Sequence, residues 1–243
     1  FLGIFLPFGL GALSFGLIMS CITPKIPKES VSVISGLVNS SSGLGNIVFY
    51  PAISSTIGIG GLMSGMILLA IPSALMIPFS IFIGKENKEL LTEGDPKNKH
   101  DEITIVQMLK NGMKNSTFIY LSIGFFTCRF HMVLITNHLP TEFATYGFSP
   151  EVIAYAFSIY GVATIIGSII IGGLCSKYNK RNILACLYGS RPLMVLFFLL
   201  MPKTLLTLCV FIILLGFTGS STVPPVTGLL GDAFGVKRLG MLF

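Results

Sequence analysis

The sequence predicts an all-α, polytopic membrane helix bundle, and three observations carry that prediction. Hydrophobic residues make up 52% of the 243 positions and charged residues only 11%, against about 25% charged in ordinary soluble domains. The apolar residues gather into long runs, and a helix needs roughly 20 of them to cross about 30 Å of hydrocarbon. Lys and Arg, lastly, fall almost wholly in alternate connections. The net charge of +6 would suggest a nucleic-acid partner in a soluble chain. Here it reports orientation, and the partner it implies is the lipid bilayer, not nucleic acid.

Seven spans are predicted, at about 1–22, 31–57, 62–84, 116–138, 151–175, 183–202 and 204–228. The first ends before Lys25 and Lys28, and Gly-Ile-Gly-Gly at 58–61 supplies the turn between the second and third. Residues 85–115 contain six lysines, six acids and the run GDPKNKHD, the composition of a solvated linker. Within it, Ile103–Met113 has apolar spacing compatible with an amphipathic surface helix or with plain linker. The domain reading is therefore three spans of an N-terminal half in 1–84, a central loop in 85–115, and four spans of a C-terminal half in 116–243, with the start of a fifth. The chain begins with Phe1 and stops at Met241-Leu242-Phe243 as another apolar run opens, so it reads as truncated at both ends.

Thirteen basic residues lie on one side: Lys25 and Lys28, the six lysines of 85–115, Lys177, Lys180, Arg181, Lys237 and Arg238. The other side has Lys203 alone, so the positive-inside rule makes 85–115 cytoplasmic in a multi-pass cell (inner or plasma) membrane protein. Pro7, Pro51, Pro72, Pro78, Pro192, Pro224 and Pro225 fall within spans. Kinked, proline-interrupted helices around a midplane cavity are the transporter solution to exposing backbone polar groups away from lipid.

Two sets of residues inside the spans have chemical potential. In the second span Ser35, Asn39, Ser42, Asn46 and Tyr50 recur at steps of four, three, four and four, which keeps them on one helical face. Such a stripe lines a wet cavity or bonds to a neighbouring helix, and its length favours the cavity. The second set is cationic. Arg129 sits in GFFTCRFHMVLITNHLP, roughly 15 Å from the outer end of its span by helix rise, and leaving a charge in lipid costs at least ~2.5 kcal/mol. His131 and His138, seven apart, share a face that Arg129 does not. Arg191 lies roughly 12 Å into its span and is followed by Pro192, so a cation beside a broken helix is expected there. Its guanidinium fork can take both oxygens of a carboxylate.

No Asp or Glu lies within the hydrophobic part of a span: Glu29, Glu142, Glu151 and Asp232 are at loops or ends. Fixed cations without fixed anions favour a negatively charged solute, and His131 could take a coupling proton. The five cysteines, Cys21, Cys128, Cys175, Cys186 and Cys209, form no ligand pattern and read as buried free thiols. No nucleophile–base constellation, phosphate loop or metal motif occurs, so neither an enzyme nor a cofactor is implied.

GFFTCRFHMVLITNHLP, with GFSP at 147–150, LYGSRP at 187–192 and STVPPVTGLLGDAFGVKRLG at 221–240, resembles bacterial major facilitator superfamily members related to monocarboxylate transporters and oxalate–formate antiporters. The resemblance implies a bundle of major facilitator type, with twelve helices in two six-helix halves, these spans being the fourth to tenth. Residues 172–181, GGLCSKYNKR, are similar to that superfamily's cytoplasmic gating motif G-x-L-x-D-R-x-x-R-R. Gly172, Leu174, Lys177, Lys180 and Arg181 match, and Ser176 stands in place of the acid. The function so implied is secondary active transport, by symport or antiport, of a small organic anion such as a monocarboxylate, with a coupling proton or an exchanged anion. The alternatives are a transporter of another small solute or drug-like compound, and a seven-helix receptor. The residues expected to bind substrate are Arg191, Arg129, His131, His138, Asn39, Asn46 and Tyr50.

Overall fold

The computed structural model describes residues 15–23, 26–92 and 112–235. Among these it contains helices and no strand: α1 (Phe15–Ile22), a 3-10 turn (Lys28–Ser30), α2 (Val31–Thr92), α3 (Ser116–Thr145), α4 (Pro150–Lys177), α5 (Lys180–Leu200), α6 (Leu205–Gly219), a 3-10 turn (Ser220–Thr222) and α7 (Val223–Phe234). Five stretches of the described residues are long and apolar enough to span: Lys28–Met76, Ser116–Thr145, Pro150–Lys177, Lys180–Leu200 and Leu205–Phe234. Most of the first predicted span, all but the end of the Ile103–Met113 segment, and Pro7 lie outside the described residues.

The chain divides into two compact units, residues 1–51 with 117–243, and residues 52–116. In the second unit α2 is interrupted at Gly61, whose φ of 71° and ψ of −173° suit a residue without a Cβ. This is the predicted turn. Ser64 Oγ donates to the carbonyls of Thr56 (2.8 Å) and Gly61 (2.6 Å) across the break, satisfying acceptors that the helix has released. The helix then runs on to Thr92, so residues 85–92 of the expected linker are helical.

In the first unit α4 is central, and half of its apolar window is buried. Phe157 on α4 and Ile212 and Leu215 on α6 are fully buried, joined by Phe211, Met132 and Tyr160 in one apolar cluster. Small residues set the approach of α2 to α4. A methyl group at Gly43 would lie 2.5 Å from Gly161 O, and one at Gly161 would lie 2.6 Å from Gly43 O. Gly36 and Gly172 repeat the contact lower on the same seam. Close backbone approach of this kind replaces the hydrophobic drive that lipid removes.

The helix ends follow local chemistry. Ser149 Oγ accepts from Val152 N–H ahead of Pro150, Asn179 Oδ1 accepts from Arg181 N–H, and Thr204 Oγ1 accepts from Thr207 N–H, each an N-cap. Lys203 donates to the carbonyls of Phe198, Leu199 and Met201 at the end of α5. The fourth predicted span stops too early at 138. Helix α3 continues through Pro140 to Thr145, because Leu139 and Phe143, one turn apart, are both buried. Phe143 packs edge-on to Phe148 and Phe198. Packing here outweighs the missing proline donor.

Candidate functional site

Arg191 is 5% exposed, and the structure places it differently from the sequence expectation. Helix α5 passes through Pro192 without ending. The broken helix beside the guanidinium is instead the α6–α7 span. There Pro224 and Pro225 open α7, and Val223 N–H bonds to Ser220 O where a continuous helix would direct it to Gly219 O. Arg191 Nη2 donates to two carbonyls beside this break, Thr218 O at 3.2 Å and Gly219 O at 2.9 Å. The cation is thus oriented by neutral acceptors, and among the described residues no carboxylate pairs with it.

Arg191 also lines a cavity of about 620 Å³ between α3 and α5. From α3 come Gly124, Thr127, Cys128 and His131, at steps of three, one and three; from α5 come Tyr188, Arg191 and Pro192, followed by Val195, Leu196 and Leu199. Both sets have the spacing of a single helix face. Arg191 Cζ lies 5.4 Å from the centroid of the Tyr188 ring, within the range of a cation–π contact. Cys128 Sγ is 3.4 Å from Thr222 Oγ1, which ties the cavity wall to the break.

Polar satisfaction singles this cavity out. Among the described residues four buried side-chain atoms have no hydrogen-bond partner: Ser32 Oγ, His131 Nδ1, Tyr188 Oη and Arg191 Nε. Three of the four belong to residues that line this cavity. Buried polar atoms are normally partnered, so a group left without one calls for an explanation such as a water or an ion. Tyr188 was not singled out by sequence reasoning. The available signal was its place three residues before Arg191, on the same helical face.

The remaining predicted residues lie elsewhere. Arg129 and His138 are exposed and do not line the cavity. The α2 stripe packs on the first unit's own helices. Asn39 Nδ2 donates to Ser168 Oγ and to Ser220 O, both at 2.9 Å. Asn46 adjoins Gly161, and Tyr50 stacks on Phe157 with ring centroids 4.7 Å apart. Ser35 and Ser42 bond to carbonyls of their own helix. Of the residues matched to the gating motif in sequence, Gly172 sits in the α2–α4 seam, and Lys177 and Arg181 are exposed. Lys180 Nζ pairs with Asp232 Oδ2 at 2.6 Å. Of the cysteines, Cys128 and Cys175 are buried as expected, whereas Cys186 is exposed on α5.

Neither comparison, with curated proteins or with solved structures, gives a match. The family model described as Major Facilitator Superfamily matches residues 1–243. With a bundle of long apolar helices, a glycine-packed seam and a buried cation beside a discontinuous span, the chain belongs to the major facilitator superfamily.

Proposed function

We propose that this multi-pass transporter moves a small organic anion, best read as a monocarboxylate, by alternating access, and that the anion binds in the α3–α5 cavity. The observation that carries the reading is the set of unpartnered buried atoms on Arg191, Tyr188 and His131 around one cavity. Arg191 supplies the fixed charge, and Thr218 O and Gly219 O hold its orientation. An imidazole in the same cavity can carry a proton with the anion or bond to it directly. Arg129, His138, Asn39, Asn46 and Tyr50, which the sequence also nominated, are assigned no contact with the anion in this proposal. With the thirteen-to-one distribution of basic loop residues, residues 85–115 are taken as a cytoplasmic connection between two halves.

The test is uptake into proteoliposomes by the full-length protein against labelled carboxylates, sugars and amines. Accumulation of carboxylates, with competition only by other anions, is the expected result. Uptake of sugars or amines with no carboxylate transport would overturn the reading.

A further inference from the structure

We infer that Tyr188 is a specificity-determining residue which, with Arg191, fixes the orientation of the solute, so that the cavity selects monocarboxylates with an apolar body. The inference rests on the anion-transport reading and narrows its substrate class. Along α5 the lining residues Tyr188, Arg191, Val195 and Leu199 share one face. The polar pair stands at one end of this row and the aliphatic residues at the other. By helix rise Val195 lies roughly 6 Å beyond Arg191, about the length of a short branched acid laid along the helix.

The donors at the polar end are complementary to one carboxylate. Arg191 Nε–H and Tyr188 Oη–H are both buried and unpartnered, and a carboxylate has acceptor capacity for both. The ring of Tyr188 lies against the guanidinium, and Gly124 makes room for it. A methyl group at 124 would be 3.3 Å from Tyr188 Cε2 and 3.5 Å from its Oη. This packing seats the Tyr188 side chain against α3 at Gly124. At the other end Val195, Leu196 and Leu199 offer no side-chain hydrogen bond. A second carboxylate or a chain of hydroxyls placed against these side chains would gain no hydrogen bond from them.

Radiolabelled isovalerate, phenylacetate, succinate and the neutral amide isovaleramide are the probes, with uptake measured in proteoliposomes of the full-length protein. The two monocarboxylates should be transported, with succinate and isovaleramide at least tenfold poorer in uptake per unit concentration. Tyr188→Phe removes only the hydroxyl. It should raise the half-saturating concentration of isovalerate about ten- to a hundredfold, the range for a hydrogen bond to a charged group, while the maximal rate per folded protein stays near parental. A merely structural tyrosine would instead lower the maximal rate or the folded yield and leave half-saturation unchanged, which would overturn the assignment. Preference for succinate by the parental protein would overturn the apolar-body claim while anion transport stood. Absence of uptake for every anion would overturn both.

Discussion

Arg191→Lys separates the contact the guanidinium makes with the α6–α7 break from the role proposed for it, presenting a charge to the cavity. Lysine keeps the charge but has one nitrogen where arginine has a fork. Its Nζ can hold Thr218 O and Gly219 O, as Nη2 alone does here, or turn to the cavity and release them, but one nitrogen cannot stand at both places. Gly219 O retains a donor in Thr222 Oγ1 at 3.2 Å, so the backbone loss falls chiefly on Thr218 O. An unsatisfied buried acceptor costs about 1–3 kcal/mol, and that is the expected loss of stability in a detergent unfolding assay. The lost charge-assisted bond to the anion is worth about 1.5–3 kcal/mol, a tenfold or greater rise in the half-saturating carboxylate concentration. Arg191→Gln removes the charge as well and should abolish anion uptake. The two readouts are independent. If Arg191→Lys lost the stability and kept parental half-saturation, and Arg191→Gln still transported the anion, Arg191 would serve only to cap the break.

Gly161→Ala places a methyl 2.6 Å from Gly43 O, and overpacking of this kind costs about 1–3 kcal/mol. Thermal unfolding of this variant at the parental midpoint would show that the seam is not tightly packed. The Lys180–Asp232 pair has side chains 20% and 56% exposed, so a double-mutant cycle should yield only about 0.2–1 kcal/mol. A coupling of several kcal/mol would mean that the pair is shielded from water. Cysteines introduced at Lys97 and Tyr146 should label from opposite faces of the membrane, as the basic-residue asymmetry requires. Labelling of both from outside would reverse the orientation.

The described spans were legible because length and apolarity are local properties, and so was the interruption at Gly58-Ile59-Gly60-Gly61. Arg191 could be found from depth alone, since any cation that far from a helix end needs an explanation. Depth did not distinguish it from Arg129, because burial depends on which neighbouring helix covers the side chain, and pairing between helices is not written in one helix's periodicity. The stripe from Ser35 to Tyr50 shows the same ambiguity. Polar residues at helical spacing satisfy a cavity and a partner helix equally well. Gly161, Ser168 and Gly172 on α4 are the small complementary surface that accounts for the α2 face, and they become meaningful only once α2 and α4 are known to pack together. Pro192 misled because a proline frees one carbonyl without obliging the helix to stop. Asp232, at the end of α7, could not be matched to Lys180 from sequence because 52 residues separate them.

The grip of two backbone carbonyls on Arg191 has a consequence for the entropy of binding. A free arginine side chain carries about 2 kcal/mol of rotamer entropy, and a ligand that must freeze it loses that much affinity. Here the freezing accompanies folding, since Nη2 is already held by Thr218 O and Gly219 O. Carbonyls are dipoles and not counterions, so they fix direction while leaving the full positive charge in place. A carboxylate partner would have ordered the same side chain and cancelled its field. In the proposed reading the site would therefore meet an incoming anion with a cation that is immobile and, among the described residues, without a carboxylate partner, a combination that a surface arginine, mobile and screened by water and salt, cannot provide.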